Sequence, residues 1–371
     1  MATKISTNFG DFAYSSQVNS VAAHTDGSWV DISLYLTSAL DDNLVFSERY
    51  YPYNGRVTLH DLSSIIEETM RNWESILAKF RITATSSDGS TDSRDIAVLY
   101  MDRIDTKRGI GLLAETQFLT TRKIITVTRD VPVPLFYIRC PIEYIDQELI
   151  VYRIIRRRRD NGEVSVKFAP QDHAGYGSDF KLQSLTITHK EIVVMAKGSS
   201  VYEYDVLGLT IEIGRRSVTI LYSDVKPDLQ LWFTNMFNCV ELAQLRGETT
   251  TKTKVKRTEA ICDDSVLLYD QSVEQTFEFQ AEGLSVETAQ WLTELFSSHE
   301  VRVLDRPYGD EDCFQELYPL VLVTESTAEI QDGDDELNKV KFTYRTIKKR
   351  PNVGIKYPDR IHDNTFKNQF S

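Results

Sequence analysis

The stretch ELIVYRIIRRRRDNGEVSVKF (residues 148–168) carries the clearest fold signal in the chain. Two runs rich in β-branched residues flank an Asn-Gly pair, and this arrangement is the strongest short-range indication of a β-hairpin. The four consecutive arginines resemble a nucleic-acid patch. In a strand, however, they divide two to each face, where neighbouring carboxylates can pair with them. We therefore predict an antiparallel hairpin with a solvated or interfacial tip.

Short runs at regular spacing follow this hairpin. The segments LQSLTIT, EIVVMA, SVYEYDVL, LTIEIG and SVTILY lie between residues 182 and 222, and we interpret all five as strands separated by Lys-Gly, Leu-Gly and Gly-Arg-Arg turns. Apolar and polar residues also alternate at 28–36 and 76–85, which predicts two further strands. The sequence therefore predicts a mainly β fold, with two or three β-sandwich or barrel domains and a few short helices.

Two segments have helical signals. Asp61 is a predicted N-cap for a short helix over residues 61–71. Ser285 is a predicted N-cap for a second helix over residues 285–298, and Glu287 lies in its first turn, where the helix dipole favours an acid.

Changes in composition along the chain predict its domain organisation. Residues 1 to about 15 are polar with scattered aromatics, which predicts an extended arm, and two prolines near residue 133 remove strand hydrogen-bond donors and indicate a boundary. The predicted units are an N-terminal β domain (1–133) with this arm and the short helix, a middle β domain (134–225), a C-terminal β domain (226–350) and an extended C-terminal arm (351–371).

Length and charge restrict the classes of function. The chain has 371 residues, of which 41% are hydrophobic and 26% charged, as expected of a globular protein with several cores. Its 42 basic and 55 acidic residues give a net charge of −13, which disfavours non-specific binding to nucleic acid. We see no signal peptide and no apolar run of about 18 residues, so we expect no membrane insertion. The four cysteines form no CxxC pair, which indicates free thiols in a reducing cytoplasm.

No catalytic or metal-binding template fits the sequence. GxSxG, P-loop and HExxH motifs are absent, and the six histidines are isolated from one another. The acidic stretches at 308–312 and 331–336 lack the spacing of an EF-hand loop and are typical of turns. We therefore predict no catalytic residue, no metal site, no cofactor and no enzymatic activity. An enzyme, for example a hydrolase that degrades cell walls, is kept as a further hypothesis, because the two carboxylates of such a site can be distant in sequence.

The stretch LVFSERYYPYNG holds a cluster of aromatic residues before an Asn-Gly turn. If residues 44–50 form a strand, Phe46 and Tyr50 share one face and Tyr51 and Tyr53 share the other. One face is expected to be buried, and the other is available to a neighbouring subunit or, as an alternative, to a sugar. Tyr50, Tyr51 and Tyr53 are therefore candidate interface residues.

A second candidate interface lies in TTTKTKVKRTEAI (residues 249–261), where threonine alternates with basic residues. This pattern is typical of an exposed or interfacial strand rather than of a core strand. The candidate residues here are Lys252, Lys254, Lys256 and Arg257.

The C-terminal third also resembles a known class of protein. LWFTNMFNCVELAQLRGETTTKTKVKRTEA, SVEQTFEFQAEGLSVETAQWLTELFSSHEVRVLD and YPLVLVTESTAEIQDGDDELNKVKFTYRTIKKRP are similar to the tail and baseplate structural proteins of tailed bacteriophages. The likeness is to distal-tail-like proteins of Bacteroides-type phages and prophages. There a FxNxFxxxE segment precedes a basic Thr/Lys strand, then come an Lsxxxaxwlxelfss helix and a closing vxFtYR strand. The resemblance covers roughly residues 225–350 and extends to residues 44–62, whose pattern SERYYP…G.V.L.DL occurs in the same proteins.

The resemblance implies a structural virion protein of a phage tail. Such a protein forms a ring of identical subunits, contacts other tail and baseplate proteins, and links the tail tube to the host-recognition apparatus. It would be made in the bacterial host cytoplasm and reside in the virion. Nothing catalytic carries over. The alternative is a carbohydrate-binding or receptor-binding module of a tail or cell surface, anchored on the aromatic cluster.

Overall fold

The structure, a computed structural model, describes residues 3–38, 41–102, 118–139, 150–171, 180–213, 216–262, 265–303, 320–330 and 338–346. Within these residues the fold is mainly β with three short α-helices, which confirms the predicted class. The acidic stretches 308–312 and 331–336 and the predicted C-terminal arm lie outside the described residues.

The first block combines two sheets and one helix around a shared core. A five-stranded sheet has the order β2-β8-β7-β4-β5, and a three-stranded sheet has the order β1-β3-β6. Buried residues of both sheets and of the helix form one hydrophobic cluster. The elements are β1 (Lys4–Thr7), β2 (Phe12–Tyr14), β3 (Ser20–His24), β4 (Val30–Thr37), β5 (Asp42–Tyr50), β6 (Arg56–His60), α1 (Leu62–Asn72), β7 (Leu77–Ser86) and β8 (Thr91–Leu99).

Strands β4 and β7 and helix α1 confirm the predictions at 28–36, 76–85 and 61–71. The predicted capping interaction is wrong. Asp61 stands at the N-cap but is left-handed, with φ 62°, and its side chain accepts no capping hydrogen bond. The predicted N-terminal arm is also wrong for residues 3–15, because β1 pairs with β3 and β2 pairs with β8. Tyr14 is fully buried, so this segment belongs to the core.

The middle block has a five-stranded sheet of order β12-β11-β14-β15-β9 and a two-stranded sheet of β10 and β13. The hairpin predicted at 148–168 is confirmed as β11 and β12. Pro134 lies in β10, which is an edge strand of its two-stranded sheet. The elements are β9 (Ile124–Thr128), β10 (Val133–Arg139), β11 (Ile150–Arg158), β12 (Val164–Gln171), β13 (Lys181–Ile187), α2 (His189–Lys197), β14 (Tyr204–Ile213) and β15 (Arg216–Ser223).

Two local predictions in this block are wrong. EIVVMA is part of helix α2, because Thr188 caps it through the backbone N–H of Glu191 and Gly198 ends it. The Leu-Gly pair at Gly208 is not a turn, since β14 runs through it as one strand. A Cβ on Gly208 would lie 2.8 Å from the Ile220 carbonyl oxygen, so this glycine allows close approach of two strands beside a bulge.

The C-terminal block is a seven-stranded sheet of order β17-β16-β20-β21-β22-β19-β18. Helix α3 covers one face, and Ser285 caps it by accepting from the backbone N–H of Thr288, as predicted. The elements are β16 (Leu229–Thr234), β17 (Val240–Leu245), β18 (Glu248–Cys262), β19 (Ser265–Leu284), α3 (Val286–Ser297), β20 (Val301–Val303), β21 (Leu320–Glu329) and β22 (Asn338–Thr346).

The three blocks are joined by a shared buried cluster. It includes Tyr14 and Leu99 from the first block, Ile138 from the middle block, and Phe237 and Cys239 from the C-terminal block. Strand β9, which precedes residue 133, bonds to β15 of the middle sheet. The domain boundaries at 133, 225 and 350 stay predictions.

Candidate functional site

Strands β18 and β19 form a long hairpin that reaches beyond the rest of its sheet. Strand β19 bonds to β22 only between Thr276 and Leu284. Residues 253–262 of β18 and 265–275 of β19 are therefore partnered only by each other within the described residues. At about 3.3 Å per residue, ten residues of strand span about 30 Å. We call this part the projecting ribbon.

Basic side chains mark one face of this hairpin. Lys252, Lys254 and Lys256 recur at every second residue and so share a face, whereas Arg257 points to the other. All four are exposed. Lys252 forms an ion pair with Glu278, but Lys254 and Lys256 form none with the described part of the chain. The candidate basic strand is thus exposed, as predicted.

Glu278 is the central carboxylate of this face. It accepts from Lys252 on one neighbouring strand and from Lys341 on the other. These two ammonium groups lower the pKa of Glu278 to about 2. The charges on the outer face are thus arranged in columns, with basic side chains on β18 and β22 and an acidic one between them.

The outer edge of β18 has no partner strand in the regions that the structure describes. A free edge presents unpaired backbone N–H and C=O groups and can accept another strand. Lysines on such an edge oppose indiscriminate pairing. Within residues 248–259, whose side chains the structure describes, Val255 is the one large apolar side chain that is exposed. The edge is therefore suited to a selective partner.

The aromatic corner occupies a separate surface. Tyr51 and Tyr53 are 74% and 82% exposed, whereas Tyr50 is half-buried and donates a hydrogen bond to Glu48. Asn54 and Gly55 have φ values of 52° and 71°, which fit a tight turn. Tyr51 and Tyr53 are the freely accessible pair, and Tyr50 belongs to the edge of the core.

A buried polar junction, which the sequence analysis did not identify, lies where the blocks meet. Its centre is Asn235, in the turn between β16 and β17. The Asn235 Nδ2 donates to the Leu119 carbonyl at 2.8 Å and to Glu241 Oε1 at 2.6 Å. The Asn235 Oδ1 accepts from the backbone N–H groups of Phe237 and Cys239 at 2.9 and 3.0 Å. All four hydrogen-bonding capacities of this buried amide are used.

Glu241 connects this turn to helix α3. Its second oxygen, Oε2, accepts from Trp291 Nε1 at 2.5 Å. The guanidinium of Arg122 stacks 3.8 Å from the centre of the Trp291 ring. Burial lowers the pKa of Arg122 to about 10, while the charges of Glu241 and Glu287 oppose that shift. Arg122 therefore places a positive charge near Glu241, while its guanidinium itself contacts the Trp291 ring.

A second carboxylate completes the junction. Glu294 is 3% exposed and accepts from the Thr121 hydroxyl at 2.6 Å and from the Met236 backbone N–H at 3.3 Å. The segment at 118–123, the β16–β17 turn and α3 are thus held together by polar contacts. The Asn and Glu of FxNxFxxxE and the Trp and Glu of the helix motif are among these residues, so these positions have a structural role.

The rest of the described chain offers little chemistry. No group of three or more metal-ligating side chains occurs among the residues that the structure describes. Cys239 is a buried free thiol whose pKa is raised by burial. A groove of about 510 Å³ is lined by Trp232, Pro132 and Pro134, but Glu300 and Arg302, two charged residues that also line it, pair with each other. No described helix is long and apolar enough to cross a membrane.

No protein-family model matches the chain, and no curated protein matches it. We therefore infer function from the geometry of the exposed surfaces.

Proposed function

We propose that this chain is a structural subunit of a phage tail, a ring-forming distal-tail or baseplate component between the tail tube and the host-recognition apparatus. The observation that carries the proposal is the β18–β19 hairpin. It combines a free, basic edge strand with a projecting ribbon about 30 Å long. A protein that acts alone gains nothing from such an edge, which is an association hazard in a monomer.

The rest of the molecule supports the same proposal. The three blocks share a buried cluster and a polar junction in which the Asn235 amide uses all its hydrogen bonds, and these contacts resist movement of the blocks relative to one another. Rigid subunits that contact each other through two different surfaces close into rings when the rotation per subunit allows it. The partners of this protein would be further copies of itself and the adjoining tail and baseplate proteins.

Electron microscopy of the purified chain tests the proposal. We expect closed rings of uniform diameter, and antibodies against the chain should label one end of the tail on virions that contain it. A protein that remains monomeric at all concentrations and is missing from purified particles would refute it.

A carbohydrate-binding role is the second candidate, and the exposure of Tyr51 and Tyr53 favours it. Two exposed tyrosines on a rigid turn are suited to stacking on sugar rings. A glycan array tests this role: Tyr51→Ala and Tyr53→Ala should abolish binding, whereas Tyr50→Phe, a change at the half-buried neighbour, should preserve it. Absence of any glycan signal, or equal binding by all variants, eliminates this candidate.

A further inference from the structure

Within the residues that the structure describes, the seven-stranded sheet has a second free edge, on β21. Strand β20 is only three residues long and pairs with β21 at Leu320 and Val321 alone. From Leu322 to Glu329, β21 bonds only to β22 within the described residues. Most of this segment is exposed. Strands β21, β22, β19 and β18 therefore form a four-stranded antiparallel sheet with β21 and β18 at its two edges.

The two edges carry opposite charge on the same face. Cross-strand register places Glu325 in line with Thr343, Glu278 and Thr250, so Glu325 lies on the face that carries the β18 lysines. Glu329, four residues on, shares that face. Residues 322–329 hold two acids and no base, whereas residues 250–258 hold four bases and no acid.

The directions of the strands also fit. Each neighbouring pair from β21 to β18 is antiparallel, so β18 runs opposite to β21. A second copy placed beside the first in the same orientation would bring its β21 next to β18 in the antiparallel sense. Such a pair has backbone hydrogen bonds perpendicular to the strands.

We propose that the β18 edge of one copy binds the β21 edge of the next copy, so that their four-stranded sheets continue from subunit to subunit. This inference rests on the proposed function and identifies the partner of the free β18 edge as the same chain. The contact is heterologous, because it joins two different edges, and repetition of it generates a ring or an open helix.

Charge selects one register for this contact. With Glu325 opposite Lys256, Thr327 lies opposite Lys254 and Glu329 opposite Lys252. A shift by two residues in either direction leaves one glutamate without a lysine. A shift by four that brings Glu325 opposite Lys252 sets Glu329 against Glu248, and the opposite shift by four leaves Glu325 without a lysine. The segments 325–329 and 252–256 contain no bulge, so alternate residues stay on one face through the contact.

Single charge reversals test the contact without touching a described ion pair. Lys256→Glu gives one like-charged pair at each contact, and so does Glu325→Lys. We expect each variant alone to assemble at least about tenfold more weakly than the wild type, because like charges placed opposite each other are repulsive. An equimolar mixture should recover wild-type assembly, because every mixed contact again pairs opposite charges. Lys190→Glu, a reversal at an exposed lysine of α2, is the matched control and should have no effect.

Cysteine cross-linking tests the register independently. In the proposed contact Lys254 and Thr327 are opposite each other, so the double variant Lys254→Cys/Thr327→Cys should form covalent multimers on oxidation, and each single variant should not. Rings that form normally in both charge variants, with no cross-link between these cysteines, would overturn this contact and leave the proposed function standing. A wild-type chain that never assembles would overturn both.

Discussion

Replacement of Asn235 by alanine is the sharpest test of the buried junction. The change removes an amide that is 3% exposed and bonded at all four of its hydrogen-bonding positions. It leaves two backbone N–H groups, one backbone carbonyl and one carboxylate oxygen of Glu241 without their partner.

The expected loss of stability follows from these four groups. Each buried polar group left unsatisfied costs about 1–3 kcal/mol. Taking the lower end for all four, because the turn can relax, we expect the free energy of unfolding to fall by about 4 kcal/mol. Asn235→Asp should be at least as damaging at neutral pH, since it removes both N–H donors and places a second carboxylate beside Glu241.

Guanidinium unfolding followed by tryptophan fluorescence measures this loss, because Trp291 bonds directly to Glu241. Gln280→Ala is the control, since Gln280 is an exposed amide that donates one side-chain hydrogen bond, to Glu282. It should change the free energy of unfolding by no more than about 0.5 kcal/mol. A loss below about 1 kcal/mol for Asn235→Ala would refute the junction as the polar centre of the fold.

Three further outcomes are expected. The carboxyl of Glu278 should titrate at a pKa of about 2 in carbon-detected NMR, and Lys341→Ala should raise that value. Because this pKa is depressed, the ion pairs of Glu278 with Lys252 and Lys341 stabilise the fold fully above the ordinary pKa of 4.5. That stabilisation is lost as the pH falls towards 2. If Glu278→Gln lost stability between pH 4.5 and pH 2 as the wild type does, the low pKa of Glu278 would not be the cause of that loss. Thr188→Ala should lower the free energy of unfolding by about 1 kcal/mol, measured by denaturation, through loss of the α2 cap. Gly247→Ala should destabilise the start of β18, since a Cβ there would lie 2.1 Å from the Gln280 carbonyl oxygen; hydrogen exchange of β18 measures this, and unaltered protection would contradict it.

The local sequence pattern was sufficient to predict a strand or helix where one face of that element is buried over many residues. Strand β7 alternates buried and half-exposed positions along most of its length, and its sequence alternates with it. The pattern failed in α2, because Ile192, Val193 and Val194 are β-branched or aliphatic residues typical of strands. The Thr188-x-x-Glu191 capping box was the signal that could have identified this helix. Strands β1 and β2 have four and three residues, too few for periodicity to be visible.

Among the candidate sites, the sequence predicted the property that belongs to a single strand and missed the features that depend on distant segments. Alternation of threonine and lysine predicted the exposure of β18, because that property belongs to one strand. The free edge of β21 depends on the short length of β20, and the buried junction joins Arg122 to Trp291 across the chain. The free edge leaves no local pattern. Junction residues stand in the FxNxFxxxE and helix motifs, but the contacts between them arise only when distant segments meet.

Native mass spectrometry of the wild-type chain tests self-assembly through the β18 and β21 edges. One subunit has a mass of 42.6 kDa, and we expect a single closed assembly whose mass is a whole multiple of that value. The Lys256→Glu and Glu325→Lys variants should each lose this assembly, and their mixture should restore it with equal numbers of the two chains. A wild-type spectrum that contains only the 42.6 kDa species at every concentration would refute self-assembly of this chain.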